Sequence, residues 1–128
     1  MGNRIVDPDG IAPPAANYAH AVLSDAPTRL LHTSGVVPTA PDGSVAAEVG
    51  DQAREVWRTI EALLADADLA PTDIVSVTTY VVPGQDLAAV MAARDEFLDG
   101  GLAASTLVIV PELARPEWLM EIAVVAAR

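Results

Sequence analysis

An amphipathic helix and a buried strand are both contained in residues 48–82, EVGDQAREVWRTIEALLADADLAPTDIVSVTTYVV. In the first part apolar residues recur at three- and four-residue steps, which predicts a helix over about 48–66. Residues 73–82 are dense in β-branched side chains and precede Pro83 and Gly84, which predicts a central strand. The predicted inward positions of the helix are Val49, Ala53, Val56, Trp57, Ile60, Leu63 and Leu64, and Asp51, Gln52, Arg54, Glu55 and Arg58 take the other positions.

The remaining segments extend this pattern to a sheet with two helices. A second helix is predicted over 86–98, stopped by Gly100 and Gly101. The segments before and after SDAPT (24–28) are expected to form a hairpin. We therefore expect a single α+β domain over residues 1–128, a mixed sheet with two helices on one face. The other predicted strands are residues 4–6, 20–23, 29–33, 104–110 and 119–126.

One face of the predicted sheet has no helix to cover it. Two helices shield a single face, and strand residues such as Val75, Val77 and Val81 place apolar side chains on a face that needs cover. A large exposed apolar patch is typical of a subunit contact. We therefore expect the chain to oligomerise through this face.

Composition excludes several classes of function. The net charge of −11 repels phosphate backbones and anionic lipid, so we expect no nucleic-acid partner and no membrane partner. The chain has no cysteine and no lysine, which excludes thiolate nucleophiles, cysteine metal ligands and lysine Schiff bases. With no metal-binding histidine motif and no nucleotide-binding glycine pattern, we expect no metal and no cofactor. Because no apolar segment reaches signal-peptide or membrane-spanning length, we expect a cytoplasmic location.

The last strand carries an acidic residue between apolar neighbours. In LMEIAVVAA (119–127), strand alternation places Glu121 on the same face as Ala123 and Val125. One interpretation is a structural glutamate that pairs with an arginine at a subunit contact. The other is a cleft carboxylate that serves as general acid or base. The residue pattern alone permits both.

Other polar candidates lie on predicted strands. Tyr18 and His20 are two residues apart, so in an extended segment they share a face and line one cavity, although a histidine at a strand entry is also an ordinary structural residue. His32, inside an apolar segment, is expected to be a hydrogen-bonded core histidine. Ser105 and Thr106 are interpreted either as ligand-binding hydroxyls or as ordinary strand residues.

Six segments together resemble the Rid/YjgF family of reactive intermediate deaminases along nearly the whole chain. The most specific are the SG-x-x-P turn at 34–38 and the glutamate followed by isoleucine in the final strand. The resemblance implies a chorismate-mutase-like (YjgF/RidA-like) α+β fold, a homotrimer with small-molecule clefts between subunits, and hydrolysis of enamines and imines derived from amino acids. The segments are NYAHAV (17–22), LLHTSGVVP (30–38), the helix after AAEVGDQ (46–52), residues 73–82, DLAAVMAARDEFL (86–98) and LMEIAVVA (119–126).

The family's site residues carry over onto three matching positions. By this resemblance Tyr18 is the pocket tyrosine, Gly35 is the glycine that contacts ligand through its backbone, and Glu121 is the glutamate that activates water. Thr106 stands where many members have cysteine, and Met91 replaces a family asparagine. These positions imply a substrate site built from several elements.

One departure from the family bears directly on activity. Deaminating members carry P-A-R-S, whose arginine clamps the substrate carboxylate, and GLAASTLV (101–108) has Ala104 at that position. A bidentate, charge-assisted clamp has no substitute in Ser105 or Thr106. Activity on 2-imino acids is therefore not expected unless another cation replaces the arginine, and Arg115 from a neighbouring subunit is the first candidate.

We therefore expect an arginine-independent Rid-family enzyme that acts on a small enamine, imine or related carbonyl metabolite. Glu121, Tyr18 and His20 are the expected catalytic residues. The alternative is a non-catalytic trimer that binds a small ligand in the same cleft. Ribonuclease activity is disfavoured by the negative charge and by the absence of a close histidine pair. The expected substrate-binding residues are Gly35, Met91, Ala104, Ser105, Thr106 and Arg115.

Overall fold

A computed structural model describes residues 2–128 of the chain, as six strands and two α-helices. A single 3-10 turn at Pro71–Asp73 leads into the fourth strand. The combination of two helices with a mixed sheet confirms the predicted α+β class. The strands are β1 Gly2–Val6, β2 Ala21–Asp25, β3 Leu30–His32, β4 Ile74–Val81, β5 Ala104–Ile109 and β6 Met120–Ala127, and the helices are α1 Val49–Asp66 and α2 Leu87–Leu98.

The main sheet has the order β3-β6-β4-β5. The strand β4 pairs in parallel with β5 and antiparallel with β6, so it is central, as predicted. The strand β2 pairs with β1 in a separate two-stranded sheet, and β3 pairs with β6. The predicted hairpin between the second and third strands is therefore wrong, because both strands find their hydrogen-bond partners elsewhere.

The helices form one layer against the main sheet. Most predicted inward positions of α1 are buried, and Trp57 stacks on Phe97 of α2 with ring centroids 4.7 Å apart. Each large apolar side chain buried in this layer contributes about 1.5–3 kcal/mol relative to an exposed one. Leu63 is an exception, since it is 40% exposed and does not join the core.

Gln52, predicted to lie on the polar side of α1, is 1% exposed. Its amide nitrogen donates to the carbonyl oxygens of Ala46 (2.7 Å) and Glu117 (2.9 Å), and its amide oxygen accepts from the Leu119 N–H (2.9 Å). One side chain thus connects α1 to the segment before it and to the segment that leads into β6. The satisfied amide explains why a polar residue is stable there.

The open face of the main sheet is not the one predicted. Val77 and Val81 are buried beneath the helices, with Thr79 between them on the same face. A β-bulge between Ile74 and Ser76 takes Val75 out of this alternation. The opposite face is the open one. By register and burial it carries Ser76, Thr78 and Tyr80 of β4, Ala104, Thr106 and Val108 of β5, and Glu121, Ala123 and Val125 of β6.

Candidate functional site

Glu121 lies directly beside Gly35 on the open face. The segment at Gly35 is held against β6 by two backbone hydrogen bonds, from the Val36 N–H to the Ile122 carbonyl (2.7 Å) and from the Ile122 N–H to the Val36 carbonyl (3.1 Å). A Cβ atom added to Gly35 would lie 1.8 Å from Oε2 of Glu121 and 3.0 Å from its Cδ. The carboxylate therefore occupies the space that a side chain at position 35 would fill, so any larger residue there would displace it.

The carboxylate of Glu121 faces a cleft of about 290 Å³. Across the sheet Tyr80 is its register partner on β4. No ion pair to Glu121 is formed within residues 2–128, so the interpretation as the partner of an arginine has no support inside one chain. A carboxylate that lines a cleft without a cation partner can accept hydrogen bonds from a ligand. The cleft is lined by Gly35, Tyr80, Val110, Glu112, Leu113, Glu121 and Ala123.

Tyr18 and His20 form a second group of polar residues. Their rings meet edge to face with centroids 5.9 Å apart, which agrees with the predicted shared face. The Tyr18 hydroxyl accepts a hydrogen bond from the Ala15 N–H (3.2 Å), and Nε2 of His20 lies 2.7 Å from the Ala12 carbonyl oxygen. Both side chains thus hold the loop that precedes β2.

This second group lies at the start of β5. The Ala19 N–H donates to the Ala103 carbonyl (2.9 Å), and Ala19 bridges to Ala104 in parallel register. Ala104 and Thr106 point to the open face. Ser105 points to the helix layer, where its hydroxyl accepts a hydrogen bond from Arg94 (3.3 Å), so it does not join them.

The two groups lie at opposite ends of the open face. Ala104 pairs with Ser76, whereas Glu121 pairs with Tyr80, four residues further along β4. At about 3.3 Å per residue, the two ends are about 13 Å apart. One chain therefore keeps Glu121 and Gly35 apart from Tyr18, His20 and Ala104.

Two other predicted residues lie elsewhere. Met91 is on α2, in the helix layer. Arg115 is on the segment before β6, where its guanidinium carbon lies 5.3 Å from the centroid of the Trp118 ring. It lines a cleft of about 550 Å³, which shares Glu112 and Leu113 with the Glu121 cleft.

Tyr80 and Glu112 line the Glu121 cleft and were not among the sequence-based candidates. The alternation of β4 marks Tyr80 as facing away from Val81, but only the strand register shows that it stands opposite Glu121. No local pattern marks Glu112, which follows Pro111 in an exposed loop. His32 was predicted to be buried and is exposed, because its strand β3 lies at the edge of the sheet.

The described residues contain neither a metal-ligand cluster nor a membrane-spanning helix. Within residues 2–128, no group of three or more histidine, cysteine, aspartate or glutamate side chains is arranged to hold a metal ion. Neither helix of this part of the chain is both long enough and apolar enough to cross a membrane.

Comparisons with a family model and with known proteins indicate the same family. The family model described as Endoribonuclease L-PSP matches residues 10–128. The 3-aminoacrylate deaminase RutC of Acinetobacter baylyi is 30% identical over 129 residues, covering 98% of each chain. The putative reactive intermediate deaminase TdcF of Escherichia coli K12 is 31% identical over 71 residues, covering 55% of each chain.

Solved structures agree with these sequence matches. The crystal structure of YyfB from Yersinia pestis, a protein of unknown function of the Rid family, superposes with a TM-score of 0.89 at 30% identity over the whole of both chains. Escherichia coli TdcF with bound serine gives a TM-score of 0.73 at 26% identity, with 98% of each chain covered. The chain therefore belongs to the Endoribonuclease L-PSP family, also called the YjgF/Rid family.

Proposed function

We propose that this chain is a Rid-family enzyme that hydrolyses a small enamine or imine, with Glu121 as general acid and base. The observation that carries the proposal is the Glu121 carboxylate, which lies in a cleft against Gly35 without a cation partner in the described chain. The names of the relatives, deaminases of 3-aminoacrylate and of reactive intermediates, favour the same reaction class.

The chemistry requires one group that moves protons in both directions. The Glu121 carboxyl group donates a proton to the enamine carbon, which gives the iminium ion, and the resulting carboxylate takes a proton from water as the oxygen attacks the iminium carbon. The carboxyl group returns that proton to the nitrogen of the resulting carbinolamine, and ammonia leaves. The carboxylate takes the hydroxyl proton as the carbonyl forms, which restores the carboxyl group. Every proton is accounted for by Glu121, substrate and water.

We propose further that the functional unit is a homotrimer, because one chain separates its two groups of polar residues. An intersubunit cleft brings Glu121 and Gly35 of one chain to Tyr18, His20, Ala104 and Thr106 of another. The exposed apolar side chains of Val108 and Leu30 support an association through the open face. Light scattering should then give a mass of about 40 kDa, three times the 13.3 kDa chain. A monomer mass would contradict this arrangement.

In this proposal the mechanism does not use an arginine at position 104. Ala104 offers no charge to a substrate carboxylate, so 2-aminoacrylate-type substrates should react slowly, if at all. We expect faster ammonia release from substrates whose carboxylate is absent or lies farther from the reacting carbon. Equal or faster turnover of 2-aminoacrylate would contradict an arginine-independent site.

The direct test is Glu121→Gln, which keeps the shape of the side chain and removes its proton exchange. We expect kcat for ammonia release to fall by about 10²-fold or more, with the oligomer mass unchanged. Glu61→Gln is the matched control, because Glu61 is an exposed carboxylate on α1, on the other side of the sheet. A Glu121→Gln variant with wild-type turnover would refute the role of Glu121. A wild type that binds these compounds without turnover would identify the protein as a ligand-binding member.

A further inference from the structure

The loop between β5 and β6 builds a second cleft that continues the Glu121 cleft. The two clefts share Glu112 and Leu113, and the second measures about 550 Å³. Together they offer much more room than an alanine-sized imine needs, and their volumes are in the range of small-molecule sites. The second cleft is lined by Val82, Pro83, Pro111, Glu112, Leu113, Ala114, Arg115, Pro116 and Trp118.

Arg115 is the cation of this second cleft. Its guanidinium group lies over the Trp118 ring at 5.3 Å, and within residues 2–128 no carboxylate forms an ion pair with it. Most other arginines of the described chain are paired: Arg29, Arg54, Arg58, Arg94 and Arg128. In a chain of net charge −11, an unpaired arginine in a cleft is a local site for an anion.

Arg115 is exposed, and the ring on which it stacks is held in place. Nε1 of Trp118 donates to Oγ1 of Thr39 (3.2 Å), which fixes the ring on which the guanidinium stacks. The neighbouring Glu117 carbonyl and Leu119 N–H are both bound by the buried side chain of Gln52. Prolines at 83, 111 and 116 stiffen the walls. The guanidinium group thus rests on a fixed ring and remains accessible to an anion.

We propose that Arg115 and Trp118 form an anion subsite of the Glu121 cleft, and that the substrate carries a carboxylate separated from its reacting carbon by at least one methylene group. This inference rests on the proposed function, because it names the substrate class of the same site. The charges along the clefts are complementary to such a molecule. Its carboxylate meets Arg115, and its protonated imine end meets the carboxylates of Glu112 and Glu121.

The test measures binding of stable carbonyl product analogues rather than turnover. Pyruvate, 3-oxobutanoate, 4-oxopentanoate and 5-oxohexanoate have no, one, two and three methylene groups between carbonyl and carboxylate. Their Kd values are measured by Trp118 fluorescence in Trp57→Phe, which leaves one tryptophan in the chain. Calorimetry of the wild type gives the same values without that substitution. We expect a spaced member of the series to bind more tightly than pyruvate.

Substitutions of Arg115 test whether its side chain binds the carboxylate of these compounds. Arg115→Gln should weaken the tightest member by about 10- to 100-fold, the scale of a lost charge-assisted hydrogen bond. Arg115→Lys should retain part of the affinity, because the charge remains and the planar stacking is lost. Arg4→Gln is the matched control, since it removes the same charge from exposed β1 and should leave Kd unchanged.

The inference is overturned if pyruvate binds as tightly as every longer member, or if Arg115→Gln leaves the tightest Kd unchanged. An equal loss in Arg4→Gln would also overturn it, because the effect would then be one of net charge. Glu121→Gln should bind the tightest member within a few-fold of the wild type. The two failures are therefore distinguishable. A Glu121→Gln variant that keeps its turnover counts against the proposed reaction, and an Arg115→Gln variant that keeps its Kd counts against the subsite.

Discussion

Gly35→Ala should displace the Glu121 carboxylate while leaving the fold intact. The added Cβ would lie 1.8 Å from Oε2, and a carbon–oxygen contact needs about 3.3 Å, so the carboxylate must retreat by about 1.5 Å. A displacement of about 1 Å at a reacting group costs about 10²-fold in rate. We therefore expect kcat/KM for ammonia release to fall by about 10²-fold, as in Glu121→Gln.

Stability should change little in the same variant. The backbone at Gly35 is not in the left-handed region, so alanine is tolerated there and stabilises by about 0.4–1 kcal/mol through the unfolded state. The forced rotamer of Glu121 costs a similar amount, about 0.5–1.5 kcal/mol. The two effects offset each other, and the thermal midpoint should shift by no more than about 4 °C.

A double-mutant cycle tests the physical reason. If the methyl group acts only through the carboxylate, Gly35→Ala combined with Glu121→Gln should have the activity of Glu121→Gln alone. Ammonia release and thermal unfolding are measured for all four proteins. Wild-type activity in Gly35→Ala, or losses that multiply in the double variant, would refute the reasoning.

Two further predictions concern stability measured by urea unfolding. Asp95→Asn should cost about 2–3 kcal/mol, more than Arg94→Met. The Arg94 side chain is 8% exposed and that of Asp95 is 36% exposed, so losing the carboxylate leaves a buried cation. A larger loss of stability in Arg94→Met would contradict this. Gln52→Leu should cost about 3 kcal/mol, since three hydrogen bonds to the backbone are lost at about 1 kcal/mol each. A loss below about 1 kcal/mol would show that water replaces the amide.

Locally encoded features of this protein were predicted closely. The helix expected over 48–66 is Val49–Asp66, and the strand expected over 73–82 is Ile74–Val81. Helical periodicity and runs of β-branched residues act over a few neighbouring residues, so they can be recognised without knowledge of the fold. The end of the second helix, expected at residue 98, is also correct, and Asp99 adopts the left-handed conformation (φ 46°) directly after it.

Non-local features were predicted less well. The predicted hairpin was wrong because β-strand pairing depends on which strand edges are available in the folded chain. Here β2 pairs with β1, and β3 pairs with β6. Gln52 was assigned to the polar side because two of its three backbone partners come from the distant segment that leads into β6. Alternation placed Val77 and Val81 on one face of β4, but only the packing of the helices decided that this is the covered face.

The sequence by itself determined the α+β class and the family resemblance, and it singled out Glu121 and Gly35 as residues of interest. Only the tertiary structure decided that these two are in direct contact, that Tyr18 and His20 lie at the other end of the sheet, and that Tyr80 faces Glu121. The physical reason is that secondary structure follows from short-range preferences. A site is assembled by register between strands separated by tens of residues, and that register is set by packing of the whole sheet.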